Sequence, residues 1–291
     1  MVERIAWVGR VTVPGQPRQR VVRVWTEGEA PGPDHEVEEI DDPFAGATPW
    51  QGGDGGAHAY ALARTAKAMV GGLRGPLSRY ELAPPVRPGK IVCVGRNYRA
   101  HAEEMGNEVP QEPILFFKPA SALLGSGQPL VLPRGYERID MESELVAVIG
   151  QVGKDLPRET ALGCVAGYTL GNDVSCRDLQ RGDKLWTRGK GFDGFAPCGP
   201  LVRLVEPGAV LPGSARIQGY LDDERRQDAA IELMIFDLAF VLSYLSRVMT
   251  LEPGDLLYTG TPEGVSALAP GQEVRIELAG FELGCLTTPL R

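Results

Sequence analysis

The sequence predicts a mostly β or α+β fold. Three observations point there: a series of short runs rich in β-branched and aromatic residues, Gly- and Pro-rich turns between them, and few segments with helical periodicity. The 37 glycines and 24 prolines among 291 residues supply those turns. A regular alternation of strand and helix is not visible, which argues against a doubly wound parallel sheet.

In chain order, RIAWVGRVTV and QRVVRVWT alternate apolar and polar residues about a break at Pro14 and Gly15, the pattern of a β-hairpin. Residues 27–60 are acidic and rich in Gly and Pro, so loop with short structured pieces is expected. The prolines at 84, 85 and 88 mark a domain boundary, giving a small N-terminal domain over 1–83 and a main domain over 84–291. Strands are then expected at 90–94, 114–117, 144–149, 165–170, 215–221, 255–258 and 274–278. RNYRAHAEEMG, 96–106, reads as a short helix ending near Gly106. The clearest helix starts after Asp237, a natural N-cap, and places Leu238, Val241, Leu242, Leu245 and Met249 on one face to cover the sheet.

The formal net charge of −8 argues against a general binder of nucleic acid or anionic membranes, so function is expected in a pocket with a small-molecule partner. The first 13 residues show no basic stretch followed by an apolar one, and no run is apolar for long enough to span a bilayer. A cytoplasmic protein is expected. The five cysteines are scattered with no C-x-x-C pair, which speaks against a disulfide framework or structural zinc. Only three histidines exist, His35, His58 and His101, so few candidates are open to histidine chemistry.

IDMESELVAVIG, 139–150, holds the most informative pair. A strand repeats every two residues, so Glu142 and Glu144 share a face. Two adjacent like charges cost energy unless a cation lies between them or one takes a proton. Their oxygens suit magnesium, manganese or calcium better than zinc or copper. The plainer alternative is an edge strand whose glutamates face water. GYTLGNDVSCRD, 167–178, ends a strand at Asn172 and Asp173, where Asp173 would complete a three-carboxylate site or cap a turn. His101 and Glu104, three apart on the short helix, form a pair able to take a proton from water, beside Arg96 at a strand-to-helix junction. A surface pair is the alternative. Arg96, Lys118 after ILFF, Lys190 in a glycine-rich loop, and Gly260 with Thr261 in a turn could bind an anionic substrate, or be solvated side chains and turn bonds. G-x-S-x-G, the phosphate-binding G-x-x-x-x-G-K-[ST], H-E-x-x-H, and G-x-G-x-x-G opening a helix are all absent. Serine-hydrolase, nucleotide and zinc-protease chemistry lose their support.

Taken in order, GRNYRAHAEEMG, PILFFKPASAL, MESELVAVIG, GYTLGNDVSCRDLQ, GKGFDGFAPCGP, MIFDLAFVLSYLSRVMTLEPGD and YTGTPEGV resemble the fumarylacetoacetate hydrolase family over residues 84–291. The first eighty or so residues look only like the variable N-terminal domain of many bacterial members. The resemblance implies a mixed β-roll, usually dimeric, that binds Mg²⁺ or Mn²⁺ (with Ca²⁺ an alternative in vitro) through Glu142, Glu144 and Asp173. It also implies a His101–Glu104 dyad and an active-site Lys190. Related chains often read GKGFDTFAP, whereas this one has Gly194 beside that lysine.

The chemistry implied is hydrolysis of a carbon–carbon bond in acylpyruvate-like or β-diketo acids through a metal-stabilised enolate, with His101 activating water and Lys190 steadying the oxyanion. Isomerisation or decarboxylation of 2-oxo diacids, as in breakdown of aromatic compounds, shares most of the same site. A non-enzymatic calcium-binding protein is the remaining alternative and requires closed coordination.

Overall fold

The computed structural model describes residues 4–45 and 57–291. As the sequence predicts, strands dominate and the longest helix, Leu238–Val248, has 11 residues. No helix among the described residues is long and apolar enough to cross a membrane.

A twelve-stranded sheet organises the molecule. Its central run places Ala196–Leu204, Val165–Asn172, Ser143–Ile149, Leu256–Tyr258, Ile91–Gly95 and Ile114–Lys118 side by side. The hairpin Ile5–Thr12 and Arg20–Thr26 forms as its alternation predicts, and Ile5–Thr12 then joins the same sheet by pairing with Ala196–Leu204. Ala6, Val8 and Val21 share one apolar cluster with Val146, Val148 and Val202. The N-terminal strands and the main domain therefore share both a sheet and a core. Within 27–60 the loop contains strand Glu36–Glu39 and the start of helix Ala59–Thr65; residues 46–56 of that stretch lie outside the described residues.

Strand Ser143–Ile149 is buried on both faces, with Leu145, Ala147 and Ile149 in one core and Val146 and Val148 in the other. Continuous β-branched burial of this kind belongs to a central strand, so Glu142 and Glu144 do not sit on a solvated edge. One core is closed by a four-stranded antiparallel sheet, Glu224–Ala230, Arg216–Leu221, Glu273–Ala279 and Cys285–Pro289. Helix Leu238–Val248 closes it too, its N-cap Asp237 accepting from Phe240 N–H at 2.8 Å and its Val241, Leu242 and Leu245 buried.

Candidate active site

Strand register creates the site. Ser143 pairs with Asn172 and Glu144 with Gly171. Beyond that pair Glu142 N–H donates to Asn172 Oδ1 at 2.9 Å, and Asp173 N–H to the Glu142 carbonyl at 2.8 Å. Antiparallel pairing thereby sets Asp173 beside two glutamates some thirty residues earlier. Oxygens of Glu142, Glu144 and Asp173 come within 4.8 Å of one another, all three side chains buried.

Burial opposes charge here, yet three cations are buried with them. Lys190 Nζ donates to Glu142 Oε2 at 2.7 Å and Asp173 Oδ2 at 2.6 Å. Arg177 donates to Glu142 Oε1 at 2.6 Å and Asp140 Oδ2 at 2.8 Å. Lys118 Nζ lies 2.7 Å from Asp173 Oδ1. Four buried carboxylates (Asp140, Glu142, Glu144, Asp173) thus face three buried cations (Lys118, Arg177, Lys190). The uncompensated carboxylate is Glu144, whose oxygen accepts only the Gly260 N–H, at 2.7 Å. Burial first, then the charges of Asp173 and Glu142, push its pKa well above the ordinary carboxyl value. Burial would raise Glu142 as well, but Lys190 and Arg177 more than offset that and hold it far below. An all-oxygen set carrying one surplus buried negative charge fits a hard divalent cation such as Mg²⁺, Mn²⁺ or Ca²⁺. The hydrogen bonds leave lone pairs over for it, since a carboxylate offers about four.

His101 and Glu104 sit on helix Arg99–Glu104, which enters from strand Ile91–Gly95. The turn between them is fixed by buried Asn97, which donates to the Phe236 and Thr259 carbonyls and accepts from Phe236 N–H. His101 is buried, with Nδ1 3.6 Å from Glu104 Oε2, just outside hydrogen-bond reach. Both Glu104 oxygens accept from Gly264 N–H at 3.1 Å. Burial lowers the His101 pKa, Arg177 and Lys190 add to that, and Glu142 and Glu104 oppose it. The balance favours the neutral imidazole, the form a proton acceptor needs.

His101, Glu142, Glu144, Asp173, Arg177 and Lys190 line a cleft of about 340 Å³ together with Arg96, Met105, Arg181, Trp186 and Thr261. Gly95 lets Trp186 approach the strand end, since a Cβ there would lie 2.6 Å from its ring.

The other sequence candidates divide. Lys190 lies not in an open loop but on the short helix Thr187–Lys190, pointed at the carboxylates. Thr261 lines the cleft, its hydroxyl donating to the Ser143 carbonyl at 3.0 Å. Gly260 turns its N–H to Glu144 rather than outward. Lys118 is enclosed beneath Asp173, donating to the carbonyls of Val174, Lys190 and Phe195 at 3.1, 2.7 and 2.7 Å. Gly194 has φ 80°, a left-handed turn that glycine adopts without strain. Sequence reasoning missed Arg177, Gln180 and Arg181, although their spacing on one helical turn, 177, 180 and 181, was there to be read.

Comparison with known proteins agrees with this architecture. Residues 90–291 match the family model described as fumarylacetoacetate (FAA) hydrolase C-terminal. The crystal structure of a 2-hydroxyhepta-2,4-diene-1,7-dioate isomerase from Mycobacterium marinum superposes with TM-score 0.78 at 33% identity, covering 98% of this chain and 97% of that one. A fumarylpyruvate hydrolase from Pseudomonas aeruginosa, crystallised with Mn²⁺ and pyruvate, is 40% identical with TM-score 0.63, over 71% of this chain and 90% of that one. The Arabidopsis thaliana mitochondrial oxaloacetate tautomerase FAHD1 is 40% identical over 198 residues, 66% of this chain and 87% of that protein.

Proposed function

Because the chain belongs to the fumarylacetoacetate hydrolase family, we propose that it is a divalent-metal-dependent hydrolase cleaving a carbon–carbon bond in acylpyruvate-like or β-diketo acids. The observation that carries this reading is the surplus buried carboxylate, Glu144, beside Glu142 and Asp173 and in one cleft with His101. The Mn²⁺ and pyruvate held by the Pseudomonas aeruginosa relative support it.

Glu142, Glu144 and Asp173 would hold the ion. A divalent ion there supplies Lewis acidity toward the 2-oxo acid, favouring the negative charge that develops as the neighbouring bond breaks. His101 keeps Nδ1 toward Glu104 and leaves Nε2 to take a proton from water. Glu104, steadied by Gly264 N–H, favours the imidazolium once that proton has moved. Lys190 presents a fixed positive charge to the reacting oxygens, since Asp173 and Glu142 outweigh its burial and raise its pKa.

A second reading, isomerisation or tautomerisation of a 2-oxo diacid, is favoured by one observation. A likeness spanning 98% of the chain is to a protein named as an isomerase, whereas the likeness to the fumarylpyruvate hydrolase spans 71%. The test is turnover of acetylpyruvate, a carboxylate-tailed acylpyruvate, oxaloacetate and an unsaturated 2-oxo heptanedioate by metal-stripped protein, with and without Mg²⁺ or Mn²⁺. Metal-restored cleavage of either acylpyruvate is expected. Activity on only one of the other two compounds would transfer the assignment to the second reading, and metal-independent turnover would overturn both.

A further inference from the structure

Near its two glutamates, strand Ser143–Ile149 parts from a neighbour. Leu256–Tyr258 pairs with it at Val146, Ala147 and Val148, and Thr259 N–H adds one bond to the Leu145 carbonyl at 3.1 Å. Between residues 142–144 and 260–264 no backbone bond follows among the described residues. Side chains take over there. Thr261 Oγ1 donates to the Ser143 carbonyl at 3.0 Å. Gln227 spans the rest of the gap: its Oε1 accepts from Ser143 N–H, and its Nε2 donates to Thr261 Oγ1 and to the Pro262 carbonyl, each at 2.8 Å. The amide has one orientation that serves, since Ser143 N–H needs an oxygen and the Pro262 carbonyl needs an N–H. It stands where a peptide unit of the ladder would stand.

Gln227 comes from a different sheet. It lies fully buried on Glu224–Ala230, in one row with Gly219 and Ile276. The two sheets meet closely at this row, because a Cβ on Gly219 would lie 2.1 Å from Ser143 Oγ. An amide buried at such a contact costs free energy unless its polar atoms are paired, and here the oxygen and both N–H groups are.

The groups it holds lie on either side of Glu144. Ser143 is the residue between Glu142 and Glu144, and Thr261 and Pro262 follow Gly260, whose N–H grips the Glu144 carboxylate at 2.7 Å. One side chain therefore fastens both the backbone between two candidate ligands and the loop that orients one of them. We propose that Gln227 is a positioning residue, which sets the spacing of the Glu142, Glu144 and Asp173 carboxylates and so their affinity for a divalent ion. The proposal rests on reading those three carboxylates as the ion's ligands. Gln227 acts through them, since it does not itself line the cleft.

Two substitutions separate position from bulk. Gln227→Met keeps the length and makes none of the three bonds; Gln227→Asn keeps the amide and is one carbon too short to span the gap, and it carries the test if the methionine variant does not fold. Leu278→Ala is the control for stability, because Leu278 shares the sheet and the core but none of these bonds. The experiment is titration of Mn²⁺ into each metal-stripped protein, followed by electron paramagnetic resonance, alongside thermal melts. Both Gln227 variants should bind Mn²⁺ about ten- to a hundredfold more weakly than the parent, with an altered spectrum at saturation. Leu278→Ala should melt lower and keep the parent's affinity and spectrum. Parent-like affinity and spectrum in the Gln227 variants, or an equal loss of affinity in Leu278→Ala, would overturn the proposal. Absence of any Mn²⁺ site in the parent would overturn the reading of the carboxylates as ligands and the proposal with it, a result distinct from a parent site that the Gln227 variants leave intact.

Discussion

Glu144 carries the most specific energetic consequence in the molecule. It is a fully buried carboxylate with one N–H partner and two like charges nearby, so without a cation it burdens the fold. Glu144→Gln should raise the melting temperature of the metal-free protein, while abolishing stabilisation by added Mn²⁺. Thermal melts of both forms with and without metal check this. Lys118 predicts the reverse: its ammonium bridges Asp173 and three carbonyls with no exposure to solvent. Lys118→Met should cost about 3–5 kcal/mol in denaturant unfolding, because it leaves those acceptors buried and unpaired. For His101, protonation removes the base, so hydrolysis should rise with pH through a value below the ordinary histidine 6.5, the direction that burial imposes. A pH profile of kcat/KM shows this limb. His101→Ala should remove it and lower hydrolysis roughly a hundredfold or more. At this scale the sequence was legible where chemistry follows from local spacing, as for Glu142 with Glu144 and His101 with Glu104. Arg177 was not, because its contact with Glu142 depends on Ser175–Cys176 pairing with Ile139–Met141.

At the scale of elements, strand ends bring the three carboxylates together, short helices bring His101, Arg177 and Lys190, and one loop steadies both groups. The loop after Leu256–Tyr258 gives Gly260 N–H to Glu144 and Gly264 N–H to Glu104, so one short segment steadies both a candidate ligand and the partner of the base. Gly264 has φ 92° and a Cβ there would meet the Arg226 carbonyl at 1.9 Å. Gly264→Ala should therefore lower the melting temperature and reduce hydrolysis together, with Mn²⁺ affinity less affected. Equal loss of metal binding and hydrolysis would show that the loop acts only on overall stability. The periodic strands, the hairpin and the Asp237-capped helix were all readable from sequence. Ala196–Leu204 was not, since Pro197 and Pro200 mimic the breakers of a strand that pairs along much of its length. Glu224–Ala230 escaped notice because its first residues are charged and exposed, and only Gln227, Ala229 and Ala230 turn inward.

At the scale of the whole molecule, one twelve-stranded sheet is shared by both parts of the chain. Prolines 84, 85 and 88 interrupt the chain, but backbone pairing of Ile5–Thr12 with Ala196–Leu204 and the common cluster around Val8, Val146 and Val202 run across that interruption. Deleting residues 1–83 would expose the edge of Ala196–Leu204 and the buried faces of Leu201 and Val202. The truncated protein should aggregate or melt well below the full chain, as light scattering and calorimetry would record. An independently stable 84–291 fragment would mean the N-terminal strands add little to the core. What this whole architecture serves is the convergence of three carboxylates at the buried end of one cleft. The most direct test is titration of Mn²⁺ into metal-stripped protein, followed by electron paramagnetic resonance, for the parent and for Glu144→Gln. One saturable site in the parent, lost or at least tenfold weaker in the variant, is the predicted result; no site in the parent, or equal binding by both, would contradict the account.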